Sequence, residues 1–213
     1  MRHYALPAAA IAAVTALTLV TGCAGLHSNE AAPQTYLLGA SAPPPTAASA
    51  AAGAVPASPA APTVSVQVLR PLAAPGLDTD QIALLRDAQR LDYYAASRWP
   101  APLPDLLQTL AIDALRASGR FRAVQPDATA FAADDVLQIE IRHCQVEYSP
   151  DGSPVVHVQL LATLGQRADR ALLASVMAES SKPASANRMQ SVVAAFQDAV
   201  NEALTQLAAK LAP

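Results

Sequence analysis

Asp135-Val136-Leu137-Gln138-Ile139-Glu140-Ile141-Arg142-His143-Cys144-Gln145-Val146-Glu147-Tyr148 decides how the rest of the chain is read. Leu137, Ile139 and Ile141 alternate with polar residues, the period of a strand with one buried face. Cys144, Val146 and Tyr148 continue the alternation but shifted by one residue. A strand whose buried face changes parity needs an extra residue, so a β-bulge is expected near Arg142–His143. Pro150-Asp151-Gly152-Ser153 follows as a turn signal. Val156, Val158, Leu160, Ala162 and Leu164 then form a return strand. Gly165 to Arg170 turns again and Ala171 to Glu179 returns, giving a three-stranded antiparallel meander. With the first turn centred between Asp151 and Gly152, His143 should oppose Leu160 and His157 should oppose Val146.

The C-terminal side of the meander reads as one long helix. Lys182-Pro183 ends the sheet, and Asn187 with Gln190 has the spacing of a capping box. Met189, Val193, Phe196, Val200, Ala203 and Leu207 form an apolar stripe, widened by Val192, Leu204 and Leu211, over a helix at 187–211. Such a stripe faces a core more often than a partner protein.

On the N-terminal side, Leu103, Leu106, Leu107, Leu110, Ala114 and Leu115 lie at helical spacing behind Pro100, Pro102 and Pro104. Proline suits a first helical turn, where its missing N–H would have no partner anyway. Asp105 and Arg116 match the two ends of the helix dipole and Gly119 supplies a left-handed stop, so a helix is expected at 104–118. Phe121 to Val124, closed by Pro126, is a short strand. Val64, Val66 and Val68 alternate with Ser65, Gln67 and Leu69 as a half-buried strand. Gln81 to Leu85 and Leu91 to Trp99 read as two extended pieces around a turn at Asp87 to Arg90; a helix through Ile82, Leu85 and Ala88 stays open. The order of strands, helix, strands and long helix gives an α+β fold: a mainly antiparallel sheet with two helices packed on one face.

The first third of the chain is different. Arg2 precedes an apolar run of about sixteen residues that closes on Val20-Thr21-Gly22-Cys23, the layout of a bacterial secretion signal. The run is shorter than the roughly 20 residues of a membrane span, and Pro7 lies inside it. Val20 to Cys23 resembles the lipobox of bacterial lipoproteins, which implies cleavage before Cys23 and acylation of that residue, with palmitate among the chains. The expected organisation is a signal peptide at 1–22 and a lipidated cysteine with its tether at 23–35. A short apolar strand candidate at Tyr36-Leu37-Leu38 with an Ala/Pro-rich loop follows at 36–62, and an α+β domain fills 63–213. Gly39 to Pro62 holds 11 alanines, 6 prolines and no charge, so it cannot bury enough side chain to offset its ordering entropy, and disorder is expected there.

Composition and motifs narrow the chemistry. Removal of 1–22 takes away one arginine and no acid, leaving a net charge of about −4. That charge gives no electrostatic basis for holding nucleic acid. Of the two cysteines, acylated Cys23 leaves Cys144 without an intrachain partner; it reads as a small buried hydrophobe, and a disulfide between chains stays open. No Gly-x-Ser-x-Gly elbow and no phosphate loop occurs. His143 and His157 lack the acid or cysteine that would complete a metal site, and Asp134-Asp135 and Asp78/Asp80 sit beside turn residues where aspartate bonds backbone. No catalytic, cofactor-binding or metal-binding residue is assigned.

Taken together, the lipobox, Tyr36-Leu37-Leu38, the Val64-Val66-Val68 strand, Tyr93-Tyr94 and the run Arg98-Trp99-Pro100-Ala101-Pro102-Leu103 before a helix resemble the ABC-type transport auxiliary lipoproteins. The family more usually has an acidic residue where this chain has Ala101 and Pro102. The resemblance implies a non-enzymatic lipoprotein serving a lipid transport system with an ABC ATPase, a permease and a substrate-binding protein carrying an MCE (mammalian cell entry) domain. Its role would be to dock that protein at the outer membrane, facing the periplasm, or to pass phospholipid to or from it. Ala24 after Cys23, in place of the aspartate that retains lipoproteins at the inner membrane, favours the outer membrane. A homo-oligomer and a structural envelope lipoprotein binding another outer-membrane or cell-wall component stay open.

Overall fold

The computed structural model describes residues 32–39, 62–86 and 89–211. Cys23, the signal segment and most of the Ala/Pro-rich stretch lie outside them. Among the described residues nine strands and two helices follow one another: β1 (Gln34–Thr35), β2 (Ser65–Val68), β3 (Leu72–Ala73), β4 (Gln81–Arg86), β5 (Arg90–Arg98), α1 (Leu103–Ala117), β6 (Ala123–Pro126), β7 (Asp135–Tyr148), β8 (Pro154–Gln166), β9 (Leu172–Pro183) and α2 (Met189–Lys210).

Strand β7 is the frame. It pairs antiparallel with β8 along its whole length, and β9 pairs antiparallel with β8, so the meander forms as its pattern requires. The register slips between Ile141 and His143, where the bulge was expected. Before the slip Leu137, Ile139 and Ile141 point to the core; after it Cys144 and Val146 do. The turn is centred on Asp151, half a residue earlier than expected, so His143 opposes Gln159 and His157 opposes Gln145, not Leu160 and Val146; the bulge moves the pairing by one more residue only beyond His143.

The other edge of β7 corrects the expectation of a mainly antiparallel sheet. β2, β3 and β4 line it in succession, all parallel to β7. β6 lies parallel beside β2, and β1 parallel beside β5; β4 and β5 form an antiparallel hairpin. The sheet is mixed. Alternation reports which face a strand buries, not the direction of its neighbour. It is the crossover through α1 that brings β6 back parallel to β2, since parallel strands need such a connection. The same placement corrects the reading of β2 as half-buried. With strands on both sides, Ser65 and Gln67 are buried as well as Val66 and Val68. The polar pair is satisfied: Ser65 bonds Asp134, and Gln67 donates to the Asp127 carbonyl and accepts from Arg167.

Both helices pack on one face. The inward residues of β8 (Val156, Val158, Leu160, Ala162 and Leu164) are fully or almost fully buried, in one cluster with Leu107, Leu110 and Leu115 of α1 and Val192, Phe196, Val200, Ala203, Leu204 and Leu207 of α2. Helix α1 has no side chain capping its start; the Leu103 N–H instead donates to the Thr79 carbonyl at 2.9 Å. Gly119, at φ +64°, ends it in the left-handed conformation that glycine adopts without strain. Helix α2 starts two residues later than expected. Arg188 takes the cap position without a side-chain capping bond, its Nε donating to the Ser191 hydroxyl at 3.1 Å, and Asn187 accepts a hydrogen bond from the Tyr148 hydroxyl at 3.3 Å. The capping box is absent because the Asn187 side chain is engaged with the sheet.

Trp99 joins the helices to the β4–β5 hairpin. Its ring meets Phe196 edge to face at 5.3 Å between centroids, it is 2 % exposed, and its N–H on the main chain bonds the Asp80 carbonyl. Trp99→Ala should therefore destabilise the fold by about 3–5 kcal/mol in urea unfolding. Asp135 offers a test by pH. Burial first, and Asp134 second, push its carboxyl above the usual carboxylate range. The folded state thus holds that proton more tightly than the unfolded chain, and the ionised group costs stability at neutral pH. Asp135→Asn should raise the melting temperature at pH 7, with the gain shrinking as pH falls through the raised value. Asp134, held low by the Ser65 hydroxyl and N–H, acts in the opposite sense: its contribution is present at neutral pH and lost on acidification.

Candidate docking surface

The residues examined for catalysis are engaged structurally. Asp134 accepts from the Ser65 N–H at 2.8 Å and hydroxyl at 2.7 Å. Asp78 and Asp105 both hold Arg70, at 2.8 and 2.6 Å, and Asp80 faces Arg98 at 3.9 Å. The His143 ring meets the Gln145 amide at 3.0 Å, and His157 meets the Ser181 hydroxyl at 2.8 Å and Glu147 at 3.9 Å. Among the described residues no three His, Cys, Asp or Glu side chains are grouped to hold a metal ion. Burial pushes the Cys144 thiol up to about 12, so it is no ready thiolate nucleophile. No described helix is long and apolar enough to cross a membrane.

What the fold does present is surface. The face of the sheet opposite the helices carries the residues of β7, β8 and β9 that alternate with the core positions. Residues in register across neighbouring strands share a face, so Leu72, Glu140, Leu161 and Met177 form a row across β3, β7, β8 and β9. The rows beside it are Gln138–Thr163–Ser175 and His143–Gln159–Glu179. Leu72 and Met177 are exposed. Charge on this face is mixed and mostly acidic: Glu140, Glu147 and Glu179 against Arg142, which lies 3.7 Å from Glu140. Its polar groups bond one another. Gln145 is buried there, its Oε1 accepting from the Cys144 N–H and its Nε2 donating to Glu147. Three aliphatic side chains, with Glu140 between Leu72 and Leu161, inside a polar, internally bonded rim have the make-up of a protein-binding surface rather than of a reaction site.

The second feature is how the chain enters the domain. Gln34 and Thr35 pair parallel with Ser97 and Arg98 of β5, and the Tyr36 N–H extends the ladder to the Arg98 carbonyl at 2.9 Å. The strand thus lies just ahead of the apolar island. Leu38 is in the core at 9 % exposure, while Leu37 is exposed. The Gly39 N–H donates to the Gln197 side-chain oxygen at 2.7 Å, and the Gln197 amide donates back to the Gly39 carbonyl. Residues 33–39 are therefore fastened to β5 at one end and to α2 at the other.

Comparison with known proteins follows from this geometry. The family model for the ABC-type transport auxiliary lipoprotein component matches residues 41–208. The chain belongs to that family. The auxiliary lipoproteins are components of ABC-type transport and are not a known enzyme family, and the lipoprotein character of the family implies anchoring to a membrane of the cell envelope. Among solved structures, a Xanthomonas campestris protein of the DUF330 family is similar at 24 % identity and TM-score 0.64, over 85 % of this chain and 93 % of that one. A weaker likeness, TM-score 0.38 at 17 % identity, over 69 % of this chain and 99 % of that one, is to the lipoprotein GNA1162 of Neisseria meningitidis. No curated protein matches the chain. The Xanthomonas structure supports the fold.

Sequence reasoning found the engaged histidines and aspartates but not the open face, because that face is made by the order of the strands. Gln197 carries the attachment of residues 33–39, and it had no sequence signal beyond its place on the helix. Gln197→Ala removes both bonds to Gly39, and a net loss of about 1–2 kcal/mol is expected. Limited proteolysis should then cut residues 33–39 first, while the rest of the domain resists.

Proposed function

We propose that this chain is a non-enzymatic lipoprotein, acylated at Cys23, that docks the MCE-domain protein of an ABC-type phospholipid transport system at the outer membrane from the periplasmic side. Membership of the auxiliary lipoprotein family carries the reading. The energy for transport would come from the ATPase, since no phosphate loop occurs in this sequence.

The structure supports a docking role in two ways. The open face offers Leu72, Leu161 and Met177 in one row with Glu140, and its acidic character suits a partner surface that sets basic groups beside apolar ones. The pairing of β1 leaves ten residues, Ala24 to Pro33, between Cys23 and the first paired residue, Gln34. Such a segment spans at most about 36 Å, so the domain would stay close to its membrane. One acyl chain binds a membrane only marginally, and the several chains of a bacterial lipoprotein make the attachment stable.

Two measurements test this. Cys23→Ser should shift the protein from the membrane to the soluble or unprocessed fraction; unchanged membrane fractionation overturns the anchor. A tagged wild-type chain should co-purify with an MCE-domain protein, and a double substitution, Leu72→Lys with Leu161→Lys, should weaken that capture about tenfold or more. Capture that is unaffected in the folded variant removes the open face from the docking role.

A further inference from the structure

Strand β9 has one neighbour. It pairs with β8, and among the described residues its other edge meets no strand. Along part of that edge helix α2 supplies the missing partners. The Glu179 N–H donates to the Gln206 side-chain oxygen at 3.4 Å, and the Gln206 amide donates back to the Glu179 carbonyl at 3.1 Å. Lys210 donates to the Met177 carbonyl at 2.7 Å. These bonds show which residues turn their main chain outward: Met177 and Glu179, hence Ser175 by the alternation of an antiparallel ladder. Lys210 is the last residue of α2, and among the described residues the capping bonds end at Met177. The N–H and C=O of Ser175 and the N–H of Met177 have no partner among the described residues.

The uncapped part is also chemically unguarded. Leu172-Leu173-Ala174-Ser175-Val176-Met177-Ala178 contains no charge and no proline, and Leu172, Leu173 and Met177 are exposed. Exposed edges are normally blunted by lysine, proline, a bulge or a covering element, because a bare edge templates another strand. Here the guards lie only at the two ends of the run. A bulge at Leu173, between the pairs Gly165–Leu172 and Leu164–Ala174, bounds it on one side, and the Lys210 bond at Met177 bounds it on the other.

The midpoint between those bounds is Ser175. We propose that Leu173–Met177 of β9 pairs antiparallel with the same stretch of a second copy of this chain, about a two-fold axis at Ser175. An antiparallel pair about a two-fold sets a residue opposite itself, and a residue with both main-chain groups outward exchanges two hydrogen bonds with its copy. The same register sets Leu173 against Met177 of the second copy, and the reverse, so each exposed apolar side chain gains an apolar neighbour. Longer overlap is blocked by Gln206 and Lys210, which fixes the register. The match is self-complementary in both hydrogen bonds and side chains, which singles out a second copy over an unrelated strand.

The test uses the full chain carrying Cys23→Ser, so that neither acyl chains nor a second accessible thiol intervene. Ser175→Cys in that background should give a covalent dimer on mild oxidation, with no larger product, while Glu179→Cys, at the capped position, should not cross-link. In sedimentation velocity, the Cys23→Ser chain should dimerise reversibly with concentration. Leu173→Lys with Met177→Lys, both at exposed positions, should remain monomeric with an unchanged melting temperature. No cross-link at Ser175→Cys, equal cross-linking at Glu179→Cys, or a dimer that survives the double lysine variant each overturns the proposal. So does a monomer at all concentrations whose Ser175 region is protected only when a transport partner is added.

Discussion

The structure depends on one element being satisfied on every side at once. β7 is a 14-residue strand with β8 bonded along one edge and three separate strands bonded along the other. Its inward side chains bury against the two helices. A bulge interrupts it between Ile141 and His143. It adds the residue that lets Ile141 and Cys144 both face inward, three positions apart. Short strands elsewhere follow from the same fact: β2, β3 and β4 each need only a few residues, because each borrows a section of β7.

Helix α2 is the second organiser, and its polar residues matter as much as its stripe. The apolar face packs on β8 and β9 and, through Phe196, on Trp99. Two glutamines nine positions apart on this helix do similar work. Gln197 pairs with the main chain of Gly39, and Gln206 with that of Glu179. A primary amide offers a donor and an acceptor side by side, which matches the N–H and C=O that one extended residue turns outward. Glu202, between them, bonds Lys182 and Ser180 of β9. The helix thus closes parts of the sheet margin that strands leave open.

Much of this was legible in the chain. Period-2 and period-3.6 patterns are local, so the meander, the bulge, both helices and the burial of Cys144 could be read from neighbouring residues. The parallel pairings could not. Alternation at Val66 and Val68 is the same whether the next strand runs up or down, and only the crossover through α1 decides it. The cap of α2 failed for a related reason: Asn187 had the right spacing, but Tyr148 on β7 competes for its side chain. The open face and the Gln197 clasp depend on which strands meet in space, so no single stretch announced them.

The attachment of residues 33–39 has a consequence for encounter. Acylation at Cys23, as proposed above, would hold the folded domain in a layer a few nanometres thick over the membrane surface instead of letting it explore the envelope volume. A tether of that length produces local concentrations in the millimolar range for anything held in the same layer. Weak contacts that would be negligible between freely diffusing molecules become populated there. Under that proposal Gln197 and Leu38 would act on association as well as on stability: by shortening the path from lipid to fold, they would set how often this domain meets whatever shares its surface.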